Sequence, residues 1–183
     1  MYRKTDRMKL SLSVLCEDPT RKTGLTSLFH EFTEKSLRLY PDLEWVIFCG
    51  ANQEWPFEHP RMSFVKDYAA NDQLKKRLIA DHFLVGPHAQ RLGCVAHVTV
   101  GFVPVRCPLP VAMHIMSMQH LNKENRIGMA RAIYRGLVVD RGLREAPLII
   151  TNTKFAARQI LATYPQIAPV SYTHLTLPTK RIV

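Results

Sequence analysis

No apolar run in this sequence approaches the ~20 residues that a membrane-crossing helix needs. Neither GxGxxG nor GxxxxGK[ST] occurs, so a dinucleotide fingerprint and a P-loop have no support. A GxSxG elbow is also missing, and Ser117 lies in no strand-turn-helix context, which removes a Ser-His-Asp hydrolase. The four cysteines, Cys16, Cys49, Cys94 and Cys107, form no CxxC pair and have no zinc-ligand rhythm, so no metal site is expected. There is no internal repeat and no low-complexity tract. Nor is there the dense basic cluster with interleaved aromatics that nucleic-acid binding would require, and no nucleic-acid partner is expected.

What is present fits one globular domain. The 183 residues suffice for a single α/β core and are too few for two ordinary domains. Hydrophobic residues make up 46% and charged residues 22%, ordinary values for a globular chain. Cys16, Cys49 and Cys94 sit at the starts or ends of apolar strand candidates, where buried free thiols are common, which suits a reducing cytoplasm. The opening "MYRKTDRMKLSLSVLC" is basic and then apolar. Its apolar part alternates and runs into "EDPTRK" with no small-residue cleavage site, so it reads as a first strand and not as a signal peptide, with Met8 a plausible start. Of the formal charge of +10, residues 1–7 and 170–183 contribute +2 each, leaving +6 spread along 8–169. Such a surface suits a phosphorylated substrate or peripheral contact with the inner face of an anionic membrane.

Hydrophobic periodicity gives the elements. Residues 8–16 alternate as a strand. In 25–40, Leu25, Leu28, Phe29, Phe32, Ser36, Leu37 and Leu39 mark a helix face ended by Pro41. Residues 43–50 form an apolar run closed by Gly50, as in a strand buried on both faces, and 62–68 form a third strand. Asn71 or Asp72 can cap a helix running to about Arg91, which Gly86-Pro87 should bend. Strands at 94–100 and 110–116 flank a proline-containing loop. A helix spans 123–144, with Ile127, Ala130, Ile133, Tyr134, Leu137 and Val138 on one face. A strand at 147–152 and a helix opening at Thr153 complete the series. This rhythm is that of an α/β protein with a doubly wound, mostly parallel sheet and helices on both faces, in which ligands bind beyond the carboxyl ends of the strands.

In that order of elements, "RLGCVAHVTVGFVPVRCPLPVAMHIMSM" (91–118) is similar to "lgaDvvHspgfvpPl…pvvvtiHDl". The stretch "RIGMARAIYRGLVVDRGLREAPLIITNTKFAARQIL" (126–161) resembles "yrrlyrrllrraadrviavSefskrdL". Both patterns belong to the acceptor-side, N-terminal Rossmann-like domain of family-four glycosyltransferases with the two-domain GT-B fold. The likeness covers 8–168 in element order and is best at 91–161. It implies a parent enzyme that moves a sugar, with retention, from a nucleotide-sugar co-substrate to a saccharide, lipid or small-molecule acceptor. No metal or other cofactor is implied as essential, and the nucleotide is gripped by a following C-terminal Rossmann-like domain. A nucleotide-sugar epimerase of the same architecture and a non-catalytic ligand-binding domain are the alternatives.

The resemblance also implies roles for residues. His114 aligns with the family histidine at the end of the "vvtiH" strand, where an imidazole can hydrogen-bond the donor sugar or stabilise charge in the transition state. Ile115 stands where the family commonly has Asp. Thr23 and Gly24 precede a helix whose free N–H groups can face a donor diphosphate, though this chain carries one glycine where the family shows more. His97 matches the histidine of "DvvH", with Cys94 in place of its Asp; it is cleft-lining or packed in the core. Asn152 and Thr153 correspond to "vSef" and can face the cleft, while either can cap the last helix. His120, with Lys123 and Arg126, follows the His114 strand and can meet an anionic acceptor or be solvated surface.

The family pattern would continue past "ATYPQIA" into a second domain, yet "PVSYTHLTLPT" follows. One back-translation of 170–179 reads as the mosaic-end adapter of transposase-based sequencing libraries, and the adapter's preceding bases fit Pro169. The expected organisation is therefore an extension at 1–7, one domain at 8–168, and a non-native tail at 169–183 replacing a lost second half. On that expectation the fragment itself is inactive and its parent is the enzyme.

Overall fold

The computed structural model describes residues 7–17, 24–55, 57–116 and 129–167. Thr23, His120, Lys123, Arg126 and the proposed tail fall outside the described residues. Six strands form one sheet in the order β3-β2-β1-β4-β5-β6, and every neighbouring pair is parallel. In chain order these are β1 (Met8–Ser13), β2 (Leu43–Gly50), β3 (Met62–Tyr68), β4 (Ala96–Val100), β5 (Val111–Ile115) and β6 (Leu148–Thr151). The chain first winds to one side of β1 and then to the other. Right-handed crossovers therefore place α1 (Gly24–Leu39) on one face and the β3–β4 and β5–β6 helices on the opposite face.

The pleat divides the apolar residues between two cores. Leu12, Trp45, Ile47 and Val98 pack against Leu28, Phe29 and Leu37 of α1. Their neighbours Val46 and Phe48 face the other way, toward Ala80, Val85 and Ala89. Farther along that second face, Met113, Ile115 and Ile149 meet Val139 and Leu143 of α4 (Met129–Glu145) and Ile160 of α5 (Lys154–Thr163). Arg61 closes the end of α1 by donating to the carbonyls of Leu37, Tyr40, Pro41 and Leu43, which supplies partners that a helix terminus otherwise lacks.

Between β3 and β4 the chain is helical from Asn71 to Arg91. A 3₁₀ turn (Asn71–Gln73) leads into α2 (Leu74–Ile79), a π turn (Ala80–Leu84) and α3 (Val85–Arg91). The capping expectation is corrected here: the N-cap position is Ala70, with no side-chain cap bond. The expected disturbance from Gly86-Pro87 lies upstream of the dipeptide. Pro87 has no N–H for the carbonyl four residues back and its ring crowds that carbonyl, and the widened turn ends just before it. Gly86 has a separate function, since a Cβ there would lie 2.8–3.0 Å from Cys107.

Two helix faces also differ from expectation. Leu39 is 71% exposed, because α1 ends there and lies beyond the sheet edge. On α4 the expected stripe is exposed at Ile133, Tyr134 and Leu137, whereas Val139 and Leu143 are buried; Ile127 and the side chain of Ala130 fall outside the described residues. Gly142 lies on the buried side, where the Sδ and Cε of Met113 fill the space a Cβ would take, so the small residue lets this side of α4 approach the sheet.

Candidate functional site

The winding reverses between β1 and β4, and the crevice beyond their carboxyl ends is where an open α/β sheet takes its ligands. Gly101, at φ 74°, turns the chain sharply out of β4 beside this point, a conformation that glycine adopts without steric cost. The residues after β1, the start of α1, the loop after β4 and the ends of β5 and β6 surround the crevice.

His114 lies one residue from the end of β5, in register with Val100 of β4 and Ile150 of β6. It is buried on the α1 side, with its ring edge-on to Phe29 at 5.3 Å. Leu28, Phe32, Val98, Thr151 and Asn152 join these two rings around a notch of about 10 Å³. Burial pushes the imidazole down to about 4, with the Asn152 side chain opposing the shift, so the ring is neutral at pH 7. Nδ1 of His114, Oγ1 of Thr151 and Oδ1 of Asn152 are buried without hydrogen-bond partners among the described residues. Unsatisfied buried polar atoms are costly, and three on adjoining strand ends mark a place built for more than packing.

A second polar group sits on the other face at the end of β1. Ser13 Oγ donates to Asp81 Oδ1 at 2.7 Å, and Arg77 Nη1 lies 3.3 Å from Oδ2. Burial lifts the Asp81 carboxyl to about 6, against the Ser13 hydrogen bond and the Arg77 charge. The sequence reading did not single out this cluster. The available signal was an aspartate in the apolar run "LIADHFLVG", on a helix otherwise rich in surface lysine and arginine.

Gly24 is the first residue of α1, and among the described residues a Cβ there would meet nothing within 4 Å. Close by, Thr26 donates to the buried carboxylate of Glu17, which already places one negative charge near this helix terminus. The structure places His97 away from the crevice, which corrects the cleft-lining reading. His97 is 0% exposed on the face opposite His114, its Nδ1 is 2.9 Å from Ser11 Oγ, and its ring is edge-on to Phe48. Burial holds it down to about 4. Asn152 shares the notch with His114, while Thr153 caps α5 by accepting from the Ala156 N–H at 3.0 Å.

All four cysteines are free, and burial raises each thiol above its ordinary value, Cys16 to about 12 and Cys49 to about 11. Among the described residues, no group of three or more His, Cys, Asp or Glu is placed to hold a metal. None of their helices is long and apolar enough to cross a membrane.

No protein-family model matches the chain, and no curated protein matches it in sequence. Among solved structures it is similar to sucrose-phosphate synthase from Thermosynechococcus elongatus, with a TM-score of 0.60 at 12% identity over 91% of this chain. The chain spans 47% of that protein's length. The fold is thus a Rossmann-like α/β domain, one six-stranded parallel sheet among the described residues with helices on both faces, matching part of that synthase.

Proposed function

We propose that this chain is the acceptor-side lobe of a glycosyltransferase that moves a sugar, with retention, from a nucleotide-sugar to a hydroxyl of a saccharide, lipid or small-molecule acceptor. The observation that carries the reading is the site itself. A neutral, buried histidine with unpartnered polar neighbours stands at the strand ends of a sheet that takes ligands there. The likeness to sucrose-phosphate synthase, of which the chain spans 47%, supports it and leaves length for a second lobe.

In the proposed reaction the bond from the anomeric carbon to the diphosphate oxygen breaks and a bond to the acceptor oxygen forms. The acceptor proton passes to the departing phosphate. His114 is neutral near pH 7 and can donate through one nitrogen and accept through the other, which suits a sugar hydroxyl better than a phosphate. Gly24 offers the N-terminus of α1 to the diphosphate. Asn152 orients the sugar beside His114. A second Rossmann-like lobe grips the nucleotide, and no metal is required. In this reading the enzyme works in the cytoplasm, and its basic surface supports peripheral contact with anionic lipid where the acceptor is a lipid.

Reading the native gene beyond codon 168 tests this organisation. A second α/β half with basic and acidic donor-binding residues is the expected result. A stop codon shortly after would defeat it and favour a free-standing binding domain.

A further inference from the structure

The apolar stripe of α4 forms one wall of a groove of about 290 Å³, to which Tyr134 and Val138 contribute. The opposite wall comes from Ile79 and Phe83, and Val105 in the loop after β4 closes one side. Ile79, Phe83 and Val105 are 56%, 44% and 51% exposed, so this is apolar surface left open to solvent. The π turn at Ala80–Leu84 shapes the wall by burying His82 and leaving Phe83 half-exposed; such turns recur at functional sites.

Two polar groups reach into the groove. Arg141 uses Nε to hold both carboxylate oxygens of Glu145 at 2.9 and 2.8 Å, and its Nη groups carry no hydrogen bond among the described residues. The Tyr134 hydroxyl lies 3.1 Å from Nε2 of His82. His82 is 9% exposed, its ring centroid is 4.9 Å from that of Phe102, and its Nδ1 has no partner among the described residues. With the imidazole proton on Nε2, His82 donates to the phenolic oxygen and leaves the phenol O–H free to donate outward. Glu145 and Asp81 offset the charges of Arg141 and Arg77, so an anion is favoured by the outward N–H and O–H donors and not by net charge. Asp81, next to His82, is tied to Ser13 and Arg77, and the positive charges of Arg141 and Arg77, after burial, hold His82 neutral.

We propose that this groove binds a small carboxylic acid with an apolar body, its carboxylate on the Arg141 Nη groups and the Tyr134 hydroxyl. The volume is near the small end of ligand pockets and suits one aromatic ring or a short alkyl chain. The hydroxyls of a sugar or the oxygens of a polyphosphate would be left unpaired against these walls. The groove shares no lining residue with the His114 notch, and the proposal does not depend on the sugar-transfer reading.

The test uses the isotopically labelled 183-residue chain and two probes with one body, 3-phenylpropionate and 3-phenylpropan-1-ol, followed through backbone amide shifts. At about pH 7.5, where the acid is ionised, the acid should bind about tenfold tighter than the alcohol, the scale of one charge-assisted hydrogen bond. Its shifts should centre on 78–83, 103–105 and 134–141. Arg141→Gln should erase the preference for the acid, and Val138→Trp should abolish binding of both probes. Should Val138→Trp fail to fold, Val105→Glu at the exposed rim should weaken the acid more than the alcohol. Equal affinity for acid and alcohol in the unaltered chain, shifts centred elsewhere, no binding, or unchanged binding in both Val138→Trp and Val105→Glu would overturn the proposal. None of these measurements involves a nucleotide-sugar, so either reading can fail alone.

Discussion

The Ser13 hydroxyl and the Asp81 carboxylate, 68 residues apart in sequence, meet at 2.7 Å beneath the crevice and tie the carboxyl end of β1 to the π turn between α2 and α3. The carboxyl is held near 6 by burial, and Ser13 acts against that shift. Ser13→Ala should therefore push Asp81 higher and cost about 1–2 kcal/mol, as expected for a buried hydrogen bond to a charged group. Carboxyl ¹³C titration and urea unfolding measure the two effects. An Asp81 value at or below that of a free aspartate would contradict the burial argument.

Acid should destabilise the fold through His97 and His114, both held down to about 4. Between their ordinary value of about 6.5 and that lower value, the unfolded chain binds protons that the folded chain refuses. Their contribution is complete above about pH 6.5 and is lost as pH falls toward 4. Asp81 works the other way, because the folded state holds its proton more tightly, so its contribution grows as pH falls through 6. Two histidines outweigh one carboxyl, and net stability should fall by a few kcal/mol across this window. Urea midpoints at stepped pH provide the check, and His97→Gln should flatten the slope.

Among the described residues Thr153 supplies the side-chain cap at the N-terminus of α5, a helix of ten residues. Thr153→Ala should cost about 1 kcal/mol. Because α5 packs Ile160 against β5 and β6, amide exchange in both strands should accelerate with it. Unchanged stability would show that tertiary packing alone holds the helix.

In the complete gene product, His114→Ala should lower kcat at least about tenfold, equivalent to about 1.4 kcal/mol in the transition state. The fold should tolerate the loss, since His114 packs at the rim of the α1 core and Phe29 keeps its aliphatic neighbours. Steady-state kinetics alongside thermal melting separates chemistry from stability. Unchanged kinetics would retire the residue from the mechanism.

Much of this architecture was legible in the residues. β2 and β3 coincide with the apolar run at 43–50 and the short strand expected at 62–68, since Pro41 and Gly50 bound the first and it is buried on both faces. His114 was singled out through its match to the family histidine of "vvtiH", and its place near the end of β5 agrees with that strand assignment. The Ser13–Asp81 pair was not visible, since no local pattern announces a contact between a strand end and a helix from another crossover. On α4 the sequence misled for a physical reason. Periodicity selects the most apolar stripe, whereas the sheet selected the side where Gly142 permits close approach to Met113. The stripe left outside became the groove wall.

The most direct test of the account is sugar transfer by the complete gene product, assayed with UDP-, ADP- and GDP-linked sugars against saccharide, lipid and small-alcohol acceptors. Acceptor-dependent release of nucleoside diphosphate, with the new glycosidic bond keeping the donor's anomeric configuration, is the predicted result. Release of no nucleotide from any donor, under conditions where the protein is folded, would contradict it.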